Sequence, residues 1–253
     1  MKWSMNGGTL VKTAVVTGAS RGIGTAIAEK LASEGYAVAV NYNSSKDAAE
    51  EVCRRINGSG GVAMPFKCDV SVRSEVERMA ESIKSELGSV VLLVNNAGIA
   101  KQCLFTDISE EMWDRLFAVN VKGAFNCSQV FSKGMINAKC GNIINISSMW
   151  GQVGASCEVH YSAAKAALIG FTKALAKELG LSGIRVNCIA PGLIDTEMNS
   201  HLDEETVNCL IEETPLSRIG TPADIADAVS FLASENAGFI TGQILGVNGG
   251  MVI

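Results

Sequence analysis

Short runs of apolar, β-branched residues recur along this chain, and each is followed by a stretch with helical spacing. The strand candidates are TAVV, AVAVN, GVAMPFK, VVLLVNN, GNIINIS, IRVNCIA and ILGVN. Between them lie GIGTAIAEKLASEG, SKDAAEEVCRRI, SVRSEVERMAESIKSEL, a longer helical region, a helix around Tyr161 and a helix starting near Thr221. Strands that are apolar throughout, rather than alternating, predict a parallel sheet covered on both faces. Right-handed crossovers then leave a Rossmann-type, doubly wound α/β fold with helices on both sides. At 253 residues, with no Ser/Pro-rich linker and no internal repeat, the chain is expected to form one domain over 1–253.

Local chemistry agrees. In TPADIADAV, Thr221 caps a helix, Pro222 suits its first position and Asp224 sits in its first turn. Residues 192–214, GLIDTEMNSHLDEETVNCLIEET, carry no strand and mix apolar with acidic residues. A loop-helix excursion of that length predicts a lid over a binding site.

Composition excludes several classes of function. No run reaches the roughly 18 apolar residues of a membrane span. A net charge of −5 argues against a general nucleic-acid or membrane binder. The start of the chain has no apolar secretion signal, so a cytoplasmic protein is expected. The eight cysteines include no C-x-x-C, and there are only two histidines, so no metal site is expected. Most of the cysteines read as small buried hydrophobes.

VVTGASRGIG sets Gly18, Gly22 and Gly24 between the first long strand and the first helix. That position suits a tight turn, close backbone approach to a pyrophosphate, and a helix N-terminus offering its free N–H groups to phosphate. An NAD site ordinarily has an acid at the end of the second strand, for the ribose 2′-hydroxyl. Here that strand ends VAVNYNSSK, with Tyr42 in place of the acid. Arg21 in the glycine loop and the polar groups of Asn43, Ser44 and Ser45 are suited to a 2′-phosphate, so NADP(H) is the expected cofactor.

Tyr161 and Lys165, in VHYSAAKAALIGF, stand about one helical turn apart and so on one face. Together with TGASRGIG, CDV (68–70), NNAG (95–98), VNVKG (119–123), INISS (144–148), YSAAK (161–165) and NCIAPGLIDT (187–196), they resemble the short-chain dehydrogenase/reductase family over nearly the whole chain. SRIGTPADIADAVSFLAS and ITGQILGVNGG resemble its bacterial 3-oxoacyl-[acyl-carrier-protein] reductase branch. The resemblance implies Tyr161 as general acid, Lys165 as the ammonium that lowers its pKa and holds the nicotinamide ribose, Ser148 as donor to the substrate oxygen, and Asn120 as holder of a water feeding protons to Lys165. Ser148 is preferred over Ser147, which points the other way along the strand.

The resemblance also places Gly18, Ser20, Arg21, Gly22, Ile23 and Gly24 on the cofactor. With them come Asn43, Ser44, Asp69, Val70, Asn95, Ala97, Gly98, Pro191, Gly192, Ile194 and Thr196. It implies NADPH-dependent reduction of a 3-oxoacyl thioester on acyl carrier protein or coenzyme A, by a homotetramer. A reductase of a free ketone or sugar, or a catalytically silent nucleotide-binding regulator, are the rivals. Leu193, Ile194, Met198 and Leu202 of the lid are expected to cover an acyl chain, and Lys133 and Lys139 to meet an acidic carrier protein. The branch often has an arginine where this chain has Ser182, which favours the coenzyme A thioester as the alternative substrate.

Overall fold

The computed structural model describes residues 5, 6, 9, 10, 12–199 and 203–253. Two short strands, β1 (Met5–Asn6) and β2 (Thr9–Leu10), pair antiparallel ahead of the main sheet. That sheet has seven strands: β3 (Lys12–Val16), β4 (Tyr36–Tyr42), β5 (Val62–Lys67), β6 (Val90–Asn95), β7 (Gly141–Ile146), β8 (Ile184–Pro191) and β9 (Ile244–Val247). Their spatial order is β5-β4-β3-β6-β7-β8-β9, and every pairing is parallel. The order reverses at β3, as the doubly wound expectation requires.

Alternate residues of each strand feed two separate cores. On one face Ala14, Val16, Val38 and Val40 meet α1 (Gly22–Ser33), α2 (Lys46–Gly58) and α9 (Pro222–Ala233) through Ile27, Leu31, Val52, Ile225 and Val229. On the other, Val15, Ala37, Ala39 and Leu93 meet α3 (Arg73–Glu86), α5 (Gly123–Ala138) and α7 (Val159–Leu179) through Val76, Ile83, Phe131, Met135 and Leu179. Burial on both sides is why the central strands are largely apolar rather than alternating.

The Thr221 cap forms as expected. Thr221 and Asp224 make a reciprocal capping box with Pro222 in the first turn, and Arg218 braces Asp224 through two bonds of 2.8 Å. The long helical region splits into α4 (Glu110–Phe117), a π-helical turn (Ala118–Lys122) and α5. The 192–214 excursion contains a 3₁₀ turn (Glu197–Asn199) and α8 (Glu204–Glu213), which Asp203 caps by accepting from Thr206 N at 2.7 Å. Leu202 lies outside the described residues.

Candidate active site

The carboxyl ends of β3, β4, β5, β6, β7 and β8 open into one cleft of about 1210 Å³. This is where doubly wound sheets bind ligands. Its floor begins at the glycine loop, where Gly18 and Gly22 have φ of 61° and 54°. A Cβ on Gly18 would stand 2.9 Å from Ala97 Cα, and one on Gly24 would stand 2.4 Å from the Gly18 carbonyl oxygen. At these two positions the loop is packed against its neighbours with no room for a side chain. α1 begins directly after it, with no side-chain cap and no acid in its first turn. Its free N–H groups and positive dipole end face the cleft, a surface built for phosphate.

Ser20, Arg21 and Ile23 line the same end, as do Tyr42 at the end of β4, Asn43 and Ser44 beyond it, and Asp69 and Val70 beyond β5. Arg21 is exposed and donates to Glu197 at 3.4 Å. Burial pushes the Asp69 carboxyl up, but hydrogen bonds from Ser71 and Arg115 outweigh it and hold the pKa below the usual range. Ala97, Gly98, Pro191, Gly192, Ile194 and Thr196 line the cleft too, with Ala97 and Thr196 directly beside the glycine loop. These groups fit a nicotinamide dinucleotide.

Two of the expected residues sit elsewhere. Asn95 is buried beneath the cleft, where it donates to Ser128 Oγ at 3.0 Å and to Asn145 Oδ1 at 2.8 Å. Asn145 in turn donates to Thr172 Oγ1 at 2.8 Å, so this chain of side chains fixes α7 on β7 and β6. Asn120 is buried in the π-helical turn, with its carboxamide committed to the backbone of Ile99. Its Oδ1 accepts from Ile99 N at 2.8 Å and its Nδ2 donates to Ile99 O at 2.9 Å. That side chain holds the Gly98–Ile99 segment against Lys165, rather than reaching into the cleft.

Ser148, Tyr161 and Lys165 do come together on the cleft wall. The Ser148 hydroxyl lies close enough to Tyr161 to oppose the rise of its pKa, and Ser148 Oγ accepts from Trp150 N at 3.1 Å. Ser147 turns the other way and donates to the Lys165 carbonyl at 2.8 Å, anchoring α7. Lys165 is buried and donates from Nζ to the Ile146 carbonyl at 2.9 Å.

The electrostatics depart from the expected lowering of the phenol pKa by Lys165. Burial first, and then the Glu158 carboxylate, raise the Tyr161 pKa, while the Ser148 bond opposes them. Burial lowers Lys165 to about 8. Desolvation therefore dominates, favouring the neutral form of both groups.

Three residues were not anticipated. Asn41, buried at the end of β4, accepts from Gly18 N at 3.2 Å and donates to Phe66 O and Cys68 O at 3.2 and 3.1 Å. Asn96 donates to Thr17 O at 2.9 Å and Gly18 O at 3.1 Å, and Thr17 Oγ1 accepts from Asn96 N and Ala97 N. These three sew the glycine loop to its neighbours. Their signal was a lone polar residue in the apolar run AVAVNY, and the first-versus-second choice within NNAG.

Two substrate-side expectations change. Ile194 is buried in the core, packed towards Gly220, so it is not free to cover an acyl chain as Met198 is. Lys139 ends α5 and Lys133 lies in its last turns, both at the amino-terminal end of β7. Six strand residues, ~20 Å, separate that end from Ser148, so neither lysine borders its own cleft. Lys101 does.

A family model described as Enoyl-(Acyl carrier protein) reductase matches residues 18–252. A 3-oxoacyl-[acyl-carrier-protein] reductase of Staphylococcus epidermidis is 46% identical over 240 residues, covering 95% of this chain and 98% of the relative. One from Staphylococcus aureus is 45% identical over 242 residues, covering 96% and 98%. One from Synechocystis is 42% identical over 243 residues, covering 96% and 97%. The match spans the glycine loop, the Ser148–Tyr161–Lys165 wall and residues 192–214 alike, and the chain belongs to the short-chain dehydrogenase/reductase family.

Proposed function

We propose that this protein reduces a 3-oxoacyl thioester to the 3-hydroxyacyl thioester, using NADPH, as a step of fatty-acid synthesis. The observation that carries this is the pair of hydroxyls, Ser148 and Tyr161, lining one cleft with the Lys165 ammonium buried beside them. Its close relatives are 3-oxoacyl-[acyl-carrier-protein] reductases. When bound, NADPH supplies the hydride. Tyr161 Oη gives its proton to the substrate oxygen, and Ser148 Oγ donates a hydrogen bond to the same atom as negative charge develops there. Burial keeps the phenol protonated at neutral pH, ready to donate. Lys165 Nζ, with its pKa near 8, exchanges protons in the working pH range and returns one to the site. Asn120 is a positioning residue, holding Ile99 and hence Gly98 beside Lys165.

Arg21 and the polar groups at 43–45 support NADPH over NADH, with no carboxylate at Tyr42 to repel a 2′-phosphate. The free cysteines suit a reducing compartment, and we place the reaction in the cytoplasm. No helix among the described residues is long and apolar enough to cross a membrane.

A homotetramer is supported by two separate exposed apolar faces. One is formed by Leu104, Phe105, Trp113 and Phe125 around α4 and α5, the other by Phe239, Leu245 and Ile253 around the edge strand β9. On the outer side of α7, Ala166, Gly170 and Ala174 leave room for a close helix, and a Cβ on Gly170 would meet nothing within 4 Å. Two copies of α5 paired about a perpendicular two-fold axis run antiparallel, which would carry Lys133 and Lys139 of one copy towards the mouth of the other. An acidic carrier protein then finds cations despite the net charge of −5.

The experiment is kcat/KM for the acetoacetyl group on carrier protein and on coenzyme A, at low and high salt. The carrier form is expected to be better at low salt and to lose its advantage at high salt. Equal values at low salt would leave a general ketoacyl reductase.

A further inference from the structure

Of the eight cysteines, Cys53, Cys68, Cys127 and Cys188 are buried, and Cys140 and Cys209 are exposed. Cys103 and Cys157 are half-buried and stand together: Cys103 N donates to Cys157 O at 2.8 Å, although the two are far apart in sequence. With ordinary covalent geometry on either side of that bond, the two Cα atoms lie within ~6.7 Å of each other. A disulfide spans roughly 4.4–6.8 Å between Cα atoms. Cys157 also holds a left-handed backbone, φ 60°, a conformation that glycine adopts without steric cost. Ser156 Oγ lies 3.8 Å from its sulfur, within hydrogen-bond reach.

The pair joins the two loops that frame the cleft mouth. Lys101 and Gln102 line it immediately before Cys103, Ser156 and Glu158 line it on either side of Cys157, and Tyr161 follows one turn later.

We propose that Cys103 and Cys157 are an oxidisable pair that closes as a disulfide across the mouth of the cleft, with hydrogen peroxide as oxidant. One thiolate attacks a peroxide oxygen; the O–O bond breaks, water leaves after protonation, and that sulfur becomes a sulfenic acid. The second thiolate attacks this sulfur; the S–S bond forms, the S–O bond breaks, and the departing hydroxide takes up the proton released by the thiol. Two thiols give up two electrons and two protons, and one hydrogen peroxide becomes two waters. The closed pair ties the 96–104 loop to the 154–158 loop, so substrate entry slows. Thiols reopen it, which suits a transient disulfide in a reducing compartment.

The test uses the full chain carrying Cys140→Ser and Cys209→Ser, which removes the two exposed thiols that join separate molecules. After peroxide treatment and alkylation, digestion without reductant is expected to yield a Cys103–Cys157 linked peptide that disappears with dithiothreitol. NADPH consumption with acetoacetyl-coenzyme A is expected to fall about tenfold and recover with dithiothreitol, as for a gated loop. Cys103→Ser in the same background is expected to keep the reduced rate and lose the response. Recovery of both cysteines unlinked, alkylated or over-oxidised, overturns the proposal, as does a linked peptide with an unchanged rate. The rate arm rests on the reductase reading and the peptide does not, so absence of reductase activity is distinguishable from failure of the pair to close.

Discussion

The Lys165 ammonium lies 5.5 Å from the centroid of the Tyr161 ring, while its proton is donated to the Ile146 carbonyl at 2.9 Å. One helical turn brings the two groups to the same wall, and burial then acts on both. It raises the phenol and lowers the ammonium to about 8, so a protonated phenol sits beside an amine whose pKa lies near neutrality.

Tyr161→Phe is expected to keep the fold and cofactor affinity and to lower kcat by ~10²–10⁴-fold, because the ring still packs while the proton donor is gone. Fluorescence titration with NADPH and steady-state rates check this. Near-normal turnover would remove Tyr161 from the chemistry.

Lys165→Met is expected to abolish most activity yet raise Tm at pH 7. The unfolded lysine keeps its proton up to 10.5 and the folded one releases it near 8. Between those values the unfolded state binds more protons, so wild-type stability rises with pH as the cost of burying the charge fades. The variant's advantage is on the order of 3 kcal/mol below pH 8, less the lost bond to Ile146, and shrinks towards pH 10. Thermal melts across that range decide it; a variant less stable than wild type at pH 7 contradicts the buried-charge account.

Gly24→Ala tests the glycine loop. Its Cβ would meet Gly18 O at 2.4 Å and Asn96 Nδ2 at 2.6 Å, so the loop has to shift. The expected cost is about 1–3 kcal/mol of stability, with weaker NADPH binding. Denaturant unfolding and titration of the same variant measure both. Unchanged affinity would show that the phosphates do not rest on this loop.

Arg21→Ala addresses cofactor choice. The side chain is exposed, and its 3.4 Å pairing with Glu197 is weak enough to exchange for a phosphate. The ratio of kcat/KM for NADPH over NADH is expected to fall about tenfold, mostly through KM for NADPH. An unchanged ratio would shift the 2′-phosphate contacts to 43–45.

The seven strands of the main sheet were legible because the central ones are buried on both faces and leave mainly apolar runs. That same burial hid Asn41 and the distinction between Asn95 and Asn96, since such strands show no alternation from which to read side-chain direction. The Tyr161–Lys165 pairing follows from helix spacing, and the choice of Ser148 over Ser147 from strand alternation. Lys133 and Lys139 were misplaced because proximity in sequence to the strand bearing Ser148 does not tell which end of that strand they adjoin. The phenol's electrostatics were misjudged for a related reason: spacing shows that an ammonium is near, but only packing shows how much water both groups have lost.

The central claim is that two hydroxyl donors and a buried ammonium serve a carbonyl. The matched family description names an enoyl reductase and the relatives name 3-oxoacyl reductases, so the same assay with two substrates is the most direct test. NADPH consumption is measured with acetoacetyl and crotonyl thioesters on one carrier, for wild type and Tyr161→Phe, with products identified by mass. Ser148 and Tyr161 facing one oxygen predict rapid reduction of the 3-oxo group to the 3-hydroxyacyl product, little or no turnover of the crotonyl group, and loss of the first activity in the variant. Faster reduction of the crotonyl double bond would contradict the account.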